Sequence, residues 1–316
     1  MKTNLGYGLV ALTLGLFCVA SVQAQGQGQS DKETNPNKIP HRINPGHPTS
    51  DAPTAGSTGT MTPAIQWNGG PVMTASPDVH LIWYGNWAQS NGSDNATGQQ
   101  IVRDFMSGVG GSAYLQINQP YTGSNGQVTG FIGQTYEADV GYTNGKRLSD
   151  NAISTIVSNY ITKTGRKDSN AVYFVLTSSD VAETSGFCNR YCGWHTSGTL
   201  AGANIKYSFV GNANRCLSGC AAQTTGPNGN AGVDGMVSVI AHELEEALTD
   251  PNPRSGWTDS NGAENADKCA WTFGSQLKTA SNGAFYNVTL GSRNFLIQRN
   301  LDTLSNCYID YVKKVQ

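Results

Sequence analysis

The sequence predicts an α/β fold, with α+β as the alternative: one domain in which a mixed central sheet is flanked by helices. Three observations point there. Short apolar runs rich in Val, Ile, Phe and Tyr alternate with longer segments whose apolar residues recur every three or four positions. That alternation builds a sheet covered by helices. The span after residue 63, about 250 residues, is enough for one large domain with a substantial core, and it contains neither a second linker nor an internal repeat. Finally, Cys188, Cys192, Cys216, Cys220, Cys269 and Cys307 all lie in the second half, which marks that half as the stapled part.

Residues 1–24 read as a secretory signal peptide. Lys2 gives a positive start, "LVALTLGLFCVA" is an apolar run, and "SVQA" supplies small residues before a cleavage after Ala24. The run is too short to cross a bilayer of roughly 30 Å as a helix. No other stretch is long and apolar enough, so an exported chain without a membrane partner is expected. Residues 25–63 are polar and rich in Pro, Gly, Asn and Thr, and are expected to form a disordered leader because they cannot bury enough surface to offset chain entropy. Residues 64–316 form the folded domain. With 20 basic against 22 acidic side chains and a net charge of −2, the chain has no electrostatic grip on nucleic acid or an anionic membrane.

Within the domain, "VHLIWYGNW" (79–87) is a buried strand. A helix follows over 97–109, with Ile101, Val102, Phe105, Met106 and Val109 on one face and Thr97 as its cap. A second helix, 149–165, carries Ile153, Ile156, Val157, Tyr160 and Ile161 and stops at Gly165. "AVYFVLTSSD" (171–180) is the central strand, and "IKYSFVGN" (205–212) is another. The clearest helix is "VDGMVSVIAHELEEALTDP" (233–251), capped by Asp234 and ended by Pro251. The tail is a hairpin turning at "GSRN". Of the seven cysteines Cys18 leaves with the signal peptide, and the six that remain in an exported chain predict up to three disulfides, with the roughly 15 connectivities left open. Asn91, Asn95 and Asn287 stand in Asn-x-Ser/Thr acceptor sequences.

The chemistry lies in "AHELEEALTDP" (241–251). His-Glu-Leu-Glu-Glu is one residue from the His-Glu-x-x-His helix that grips zinc in many hydrolases, with Glu in place of the second His. Residues four apart share a helix face, so His242 and Glu246 are candidate ligands and Glu243 a candidate general base. Ile240, Leu244, Ala247 and Leu248 form the packing stripe. Downstream, "GWTDSNGAENADKCAW" (256–271) brings Glu264 as a third ligand and, if helical, Asp267 one turn later as a ligand or orienting group. His195, in "CGWHTSG", is the remaining candidate ligand or catalytic group. Zn²⁺ is the expected cation. A set with two carboxylates would activate water less well than a two-His set and would favour Ca²⁺ or Mn²⁺.

Other chemistries find less support. There is no Gly-x-Ser-x-Gly elbow and no phosphate-cradling glycine loop. A paired-carboxylate glycosidase stays open, because Glu243, Glu246, Glu264 and Asp267 supply acids and Trp83, Trp87, Trp194, Trp257 and Trp271 could stack on sugars. Extracellular peptide or polysaccharide is therefore the expected partner class.

Several motifs in order, "NGGPVM", "LIWYGNW", "IVRDFM", "VYFVLTSSDV", "FCNRYCGWH", "FVGN", "GVDGMVSVIAHELEEALTDP" and "ENADKC", resemble those of the Exordium-like, phosphate-induced protein family. The resemblance runs from about Gln66 to Cys307. It implies an extracellular or cell-wall location and, in plants, a role in growth by cell expansion linked to nutrient status. It also implies that His242, Glu243 and Glu246 follow a family pattern, while carrying over no enzymatic activity. Two readings result. One is a secreted metallohydrolase. The other is a non-catalytic extracellular growth or signalling protein whose acidic His/Glu cluster is structural.

Overall fold

The computed structural model describes Met1, residues 31–34 and residues 63–310. The expected signal peptide, apart from Met1, lies outside the described residues, as does most of the leader. The architecture is α/β, built on one six-stranded sheet. Its strands are β1 (Asp31–Thr34), β2 (Asp78–Tyr84), β3 (Thr135–Gly141), β4 (Ala171–Thr177), β5 (Tyr191–Leu200) and β6 (Ala203–Gly211), in the spatial order β1-β5-β6-β4-β2-β3. Strands β6, β4, β2 and β3 run parallel, β5 is antiparallel to β6, and β1 is antiparallel to β5. The mixed sheet is the one expected. Within the polar leader, Asp31–Thr34 is a strand rather than irregular chain.

Strand β4 has a parallel neighbour on each side and every residue buried, so it reads as a continuous apolar run without alternation. Both β2 and β4 end earlier than their apolar runs. At Gly85 the chain turns with φ 98°, and a Cβ there would sit 2.0 Å from Ser178 Oγ. The two strands leave the sheet together at a crossing too tight for a side chain. Two strands carry little signal of their own. The segment of β3 is polar and half exposed, and β5 is rich in Gly, Ser and Thr.

Three helices cover the sheet: α1 (Ala96–Val109), α2 (Asp150–Thr164) and α3 (Ala231–Thr249). The apolar stripes of α1 and α2 are buried as the spacing predicts. The caps differ at two helices. Asn95, not Thr97, accepts the first-turn N–H of α1. At α3 the cap is Asn230, whose Oδ1 accepts from Val233 N–H. Asp234 is then inside the first turn and buried, and burial pushes its carboxyl up to about 6. Helix α2 starts at the Ser149 cap and is closed by Gly165 at φ 69°, a left-handed position that glycine takes without strain. The chain steps from β2 to β3 in one direction and from β3 back to β4 in the other, so right-handed crossovers put α1 and α2 on opposite faces. Helix α1 packs against α3, which also lies on β5 and β6, while α2 lies against β4, β5 and β6.

The α2 side holds a buried imidazole. His80 is stacked between the rings of Tyr136 and Tyr173, and its Nδ1 is 2.9 Å from Tyr160 Oη. Burial holds it down to about 4 from the ordinary 6.5. The unfolded chain therefore takes up a proton that the folded one refuses. Stability is complete above pH 6.5 and falls as pH drops toward 4, by about 3 kcal/mol in total. Urea midpoints at pH 7 and pH 4 for the parent and for His80→Phe should show that the variant loses much less on acidification. An equal loss in both would remove His80 as the cause.

The cysteines form three disulfides, Cys188–Cys216, Cys192–Cys220 and Cys269–Cys307. The two Cys-x-x-x-Cys pairs thus bridge to each other, tying the start of β5 to the turn before α3. The tail hairpin is present as Val288–Leu290 paired with Arg293–Phe295, turning through Gly291 and Ser292. Asn287 Nδ2 donates to the carbonyls of Phe273 and Ile297, so a glycan there would displace two structural hydrogen bonds.

Candidate metal centre

Helix α3 is not the half-exposed amphipathic helix its pattern suggests, because every residue from Gly232 to Thr249 is buried. Its apolar stripe faces the core, and its polar residues face other protein. Along this helix His242 and Glu246 do stack one turn apart, with His242 Nε2 3.0 Å from Glu246 Oε1. Strand β5 supplies His195, whose Nε2 is 2.7 Å from Glu264 Oε2 and 3.8 Å from Glu246 Oε2. The alternation of a strand, with Trp194 on one face and its neighbours on the other, turns His195 toward the helix.

The segment after the helix is not the second helix considered above. An Asx turn at Asp259, whose Oδ1 accepts from the N–H groups of Asn261 and Ala263, shapes the loop, and only a 3₁₀ turn forms at Asp267–Cys269. Asp267 nevertheless arrives beside the cluster. Its Oδ1 is 3.6 Å from His242 Nε2, its N–H donates to Glu246 Oε1, and its Oδ2 accepts from Glu264 N–H. Glu264 therefore serves His195, and Asp267 serves His242, the reverse of a simple third-ligand arrangement around His242.

All six candidates converge: His195, His242, Glu243, Glu246, Glu264 and Asp267. The first five are almost completely buried, and Asp267 keeps 17% of its side chain exposed. Two groups of three place their ligand atoms within 4.8 Å of one another, His195 with Glu243 and Glu246, and His242 with Glu246 and Asp267. Glu246 is common to both. Burial, aided by the nearby His242, holds His195 down to about 3. Its imidazole is therefore neutral with a lone pair to offer, and its Nδ1 has no hydrogen-bond partner among the described residues. Neutral imidazole and carboxylate oxygen in a dry setting suit a divalent ion. The donor set fits one.

A polar layer beneath the cluster escaped the sequence reading. Glu245, fully buried, accepts from Asn300 Nδ2, and Asn118 Nδ2 donates to its carbonyl. Burial pushes the Glu245 carboxyl well above the usual range. Asn118 Oδ1 accepts from both Asn265 and Asn300, locking the loop before Asp267 to the helix. At the helix end Asp250 accepts from the N–H groups of Arg254, Ser255 and Gly256 and also meets Glu264. The only local signal for this layer is a Glu immediately after the apolar Leu244. A cavity of about 570 Å³, lined among others by Arg147, Phe187 and Arg215, lies elsewhere and shares no residue with the cluster.

Residues 65–308 match the phosphate-induced protein 1 conserved region. The chain is similar to Protein EXORDIUM-like 3 of Arabidopsis thaliana, at 30% identity over 276 residues that span 74% of this chain and 79% of that one. It is similar to Protein EXORDIUM-like 5 of the same plant at 28% over 279 residues, 74% of each. With Protein PHOSPHATE-INDUCED 1 of Nicotiana tabacum it shares 29% over 220 residues, 59% of this chain and 65% of that one. No solved structure matches it.

Proposed function

The chain belongs to the phosphate-induced protein 1 family, and from that premise we propose that it is an exported protein that binds one divalent cation between α3 and β5 and uses it to hydrolyse extracellular peptide. The observation that carries the reading is the sharing of Glu246 by two three-residue ligand groups. His242, Glu246 and Asp267 would hold the cation, with Zn²⁺ first and Ca²⁺ or Mn²⁺ as alternatives for so carboxylate-rich a set. His195 and Glu243 complete the other group. A bound cation would lower the pKa of a water on it. Glu243, whose carboxylate lies within 4.8 Å of ligand atoms of His195 and Glu246, would take the proton, and Glu264 would fix the tautomer of His195 through its 2.7 Å contact. The disulfides and the lack, among the described residues, of any helix long and apolar enough to cross a membrane support export.

The burial of His242 and Glu243 favours a second reading, a structural cation or polar network in a non-catalytic growth or signalling protein. Elemental analysis of the purified protein beside His242→Ala tests the site. The parent should carry about one equivalent of metal and the variant almost none, and equal content in both rules the site out. Glu243→Gln separates the two readings. Under the hydrolase reading it keeps its metal and loses about 10²–10⁴-fold of the cleavage of a mixed-peptide substrate. No cleavage by the metal-loaded parent leaves the structural reading.

A further inference from the structure

Strand β1 stands apart from the rest of the sheet. Without it β5 would be the edge strand, with a row of backbone N–H and C=O groups open to any extended chain. β1 fills that row antiparallel, with Asp31 opposite His195, Lys32 opposite Trp194, Glu33 opposite Gly193 and, after a bulge, Thr34 opposite Tyr191. It also touches α3. A short extended segment therefore lies against both elements that carry the cluster, the strand of His195 and the helix of His242, Glu243 and Glu246.

Gly193 shows how close the two are. A Cβ at this position would stand 2.6 Å from Val239 Cγ1 and 3.0 Å from Glu243 Oε1. Strand backbone and helix meet there directly, so a segment paired opposite Gly193 and His195 runs about 4.8 Å, one strand spacing, from the stretch of β5 that Val239 and Glu243 pack against. The register makes that placement specific. A shift by one residue would turn every side chain of the added strand to the other face.

We propose that the outer edge of β5 is a binding site for an extended polypeptide, which adds antiparallel as a strand beside the His195/Glu243/Glu246 group, and that residues 31–34 occupy this site in cis. The ligand class follows from the edge itself. A row of donors and acceptors at strand spacing complements another polypeptide backbone and not a sugar chain. The inference rests on the peptide-directed reading above for what the bound chain would undergo, but the binding itself needs no metal. An occupant on the same chain has an effective concentration in the millimolar range, so it excludes weaker external peptides until it is displaced.

The test uses the full chain carrying Lys32→Pro and Glu33→Pro. In an antiparallel strand alternate residues direct their N–H to the neighbour, so prolines at two consecutive positions remove a ladder donor whichever register holds. The probe is a fluorescein-labelled synthetic peptide of residues 29–36, with the same peptide carrying proline at both positions as a control. The variant should bind the natural peptide at least tenfold more tightly than the parent, and neither protein should bind the proline peptide. Amide exchange over residues 191–195 should rise in the variant and fall again when the natural peptide is added. Equal peptide affinity for parent and variant, equal binding of the proline peptide, or unchanged exchange at β5 would each overturn the proposal. Repeating the measurement with His242→Ala added separates the two ideas. Peptide binding that survives there stands whether or not the metal reading does.

Discussion

Glu246→Ala is expected to cost about 3–5 kcal/mol of folding stability and to abolish the proposed cation binding in the same step. Glu246 meets His242 at 3.0 Å through Oε1, accepts the Asp267 N–H at 3.0 Å on the same oxygen, and approaches His195 at 3.8 Å through Oε2. Truncation leaves a buried donor and two buried imidazoles without their shared partner. Breaking a buried polar network from one side costs in that range because each group left unsatisfied stays desolvated, at about 1–3 kcal/mol apiece. Any cation bound only by the folded state adds its own linkage, about 4 kcal/mol when its concentration is a thousand times its Kd.

Glu246→Gln separates the two contributions. Its carbonyl still accepts from Asp267, so the packing loss should be the smaller part, while the lost charge should empty the site as thoroughly as alanine does. Urea unfolding and metal content, measured on both variants, decide it. A midpoint for Glu246→Ala within about 0.5 kcal/mol of the parent, the size of an ordinary surface change, would mean that the cluster does not hold the domain together.

The second large effect is expected at the C-terminal staple. Cys269→Ser with Cys307→Ser opens a loop of sequence separation 38, for which the chain-entropy relation gives about 4 kcal/mol. In a domain of this size that corresponds to a fall in Tm of about 10 °C. The staple also sits at the end of the Asp267–Cys269 turn, so its loss should loosen Asp267 while leaving the His242–Glu246 contact to the helix. Bound metal should therefore weaken in this double variant without disappearing. Differential scanning calorimetry under non-reducing conditions gives the first number, and a metal titration gives the second. A melting point unmoved by the double substitution would show that the Asn118–Asn265–Asn300 hydrogen bonds fix the segment without covalent help.

Much of the scaffold was legible in the residues. The apolar spacing of α1 and α2, the continuous run of β4, the Ser149 and Gly165 boundaries and the two-residue turn of the tail hairpin are all local, and local backbone preference is what a sequence pattern reports. The His242–Glu246 pair was legible for the same reason, since one helical turn connects them. Errors at this level were local too. Asn95 and Asn230 cap their helices where Thr97 and Asp234 compete as capping residues a few positions on, and the packing stripe of α3 gave no sign that its other face is buried as well.

Sequence by itself determined the α/β class, the helix that bears His-Glu-x-x-Glu, the disulfide-braced second half and the family. Only the tertiary structure decided that His195 meets Glu264 across 69 positions, that Asp267 meets His242 from a 3₁₀ turn and not from a helix, and that Glu245 is sealed beneath them. Those contacts depend on sheet order, on which cysteines join and on how completely α3 is enclosed. Each is a property of chain segments far apart in sequence, where the free energy of burial is set by the neighbour that arrives rather than by the residues alongside.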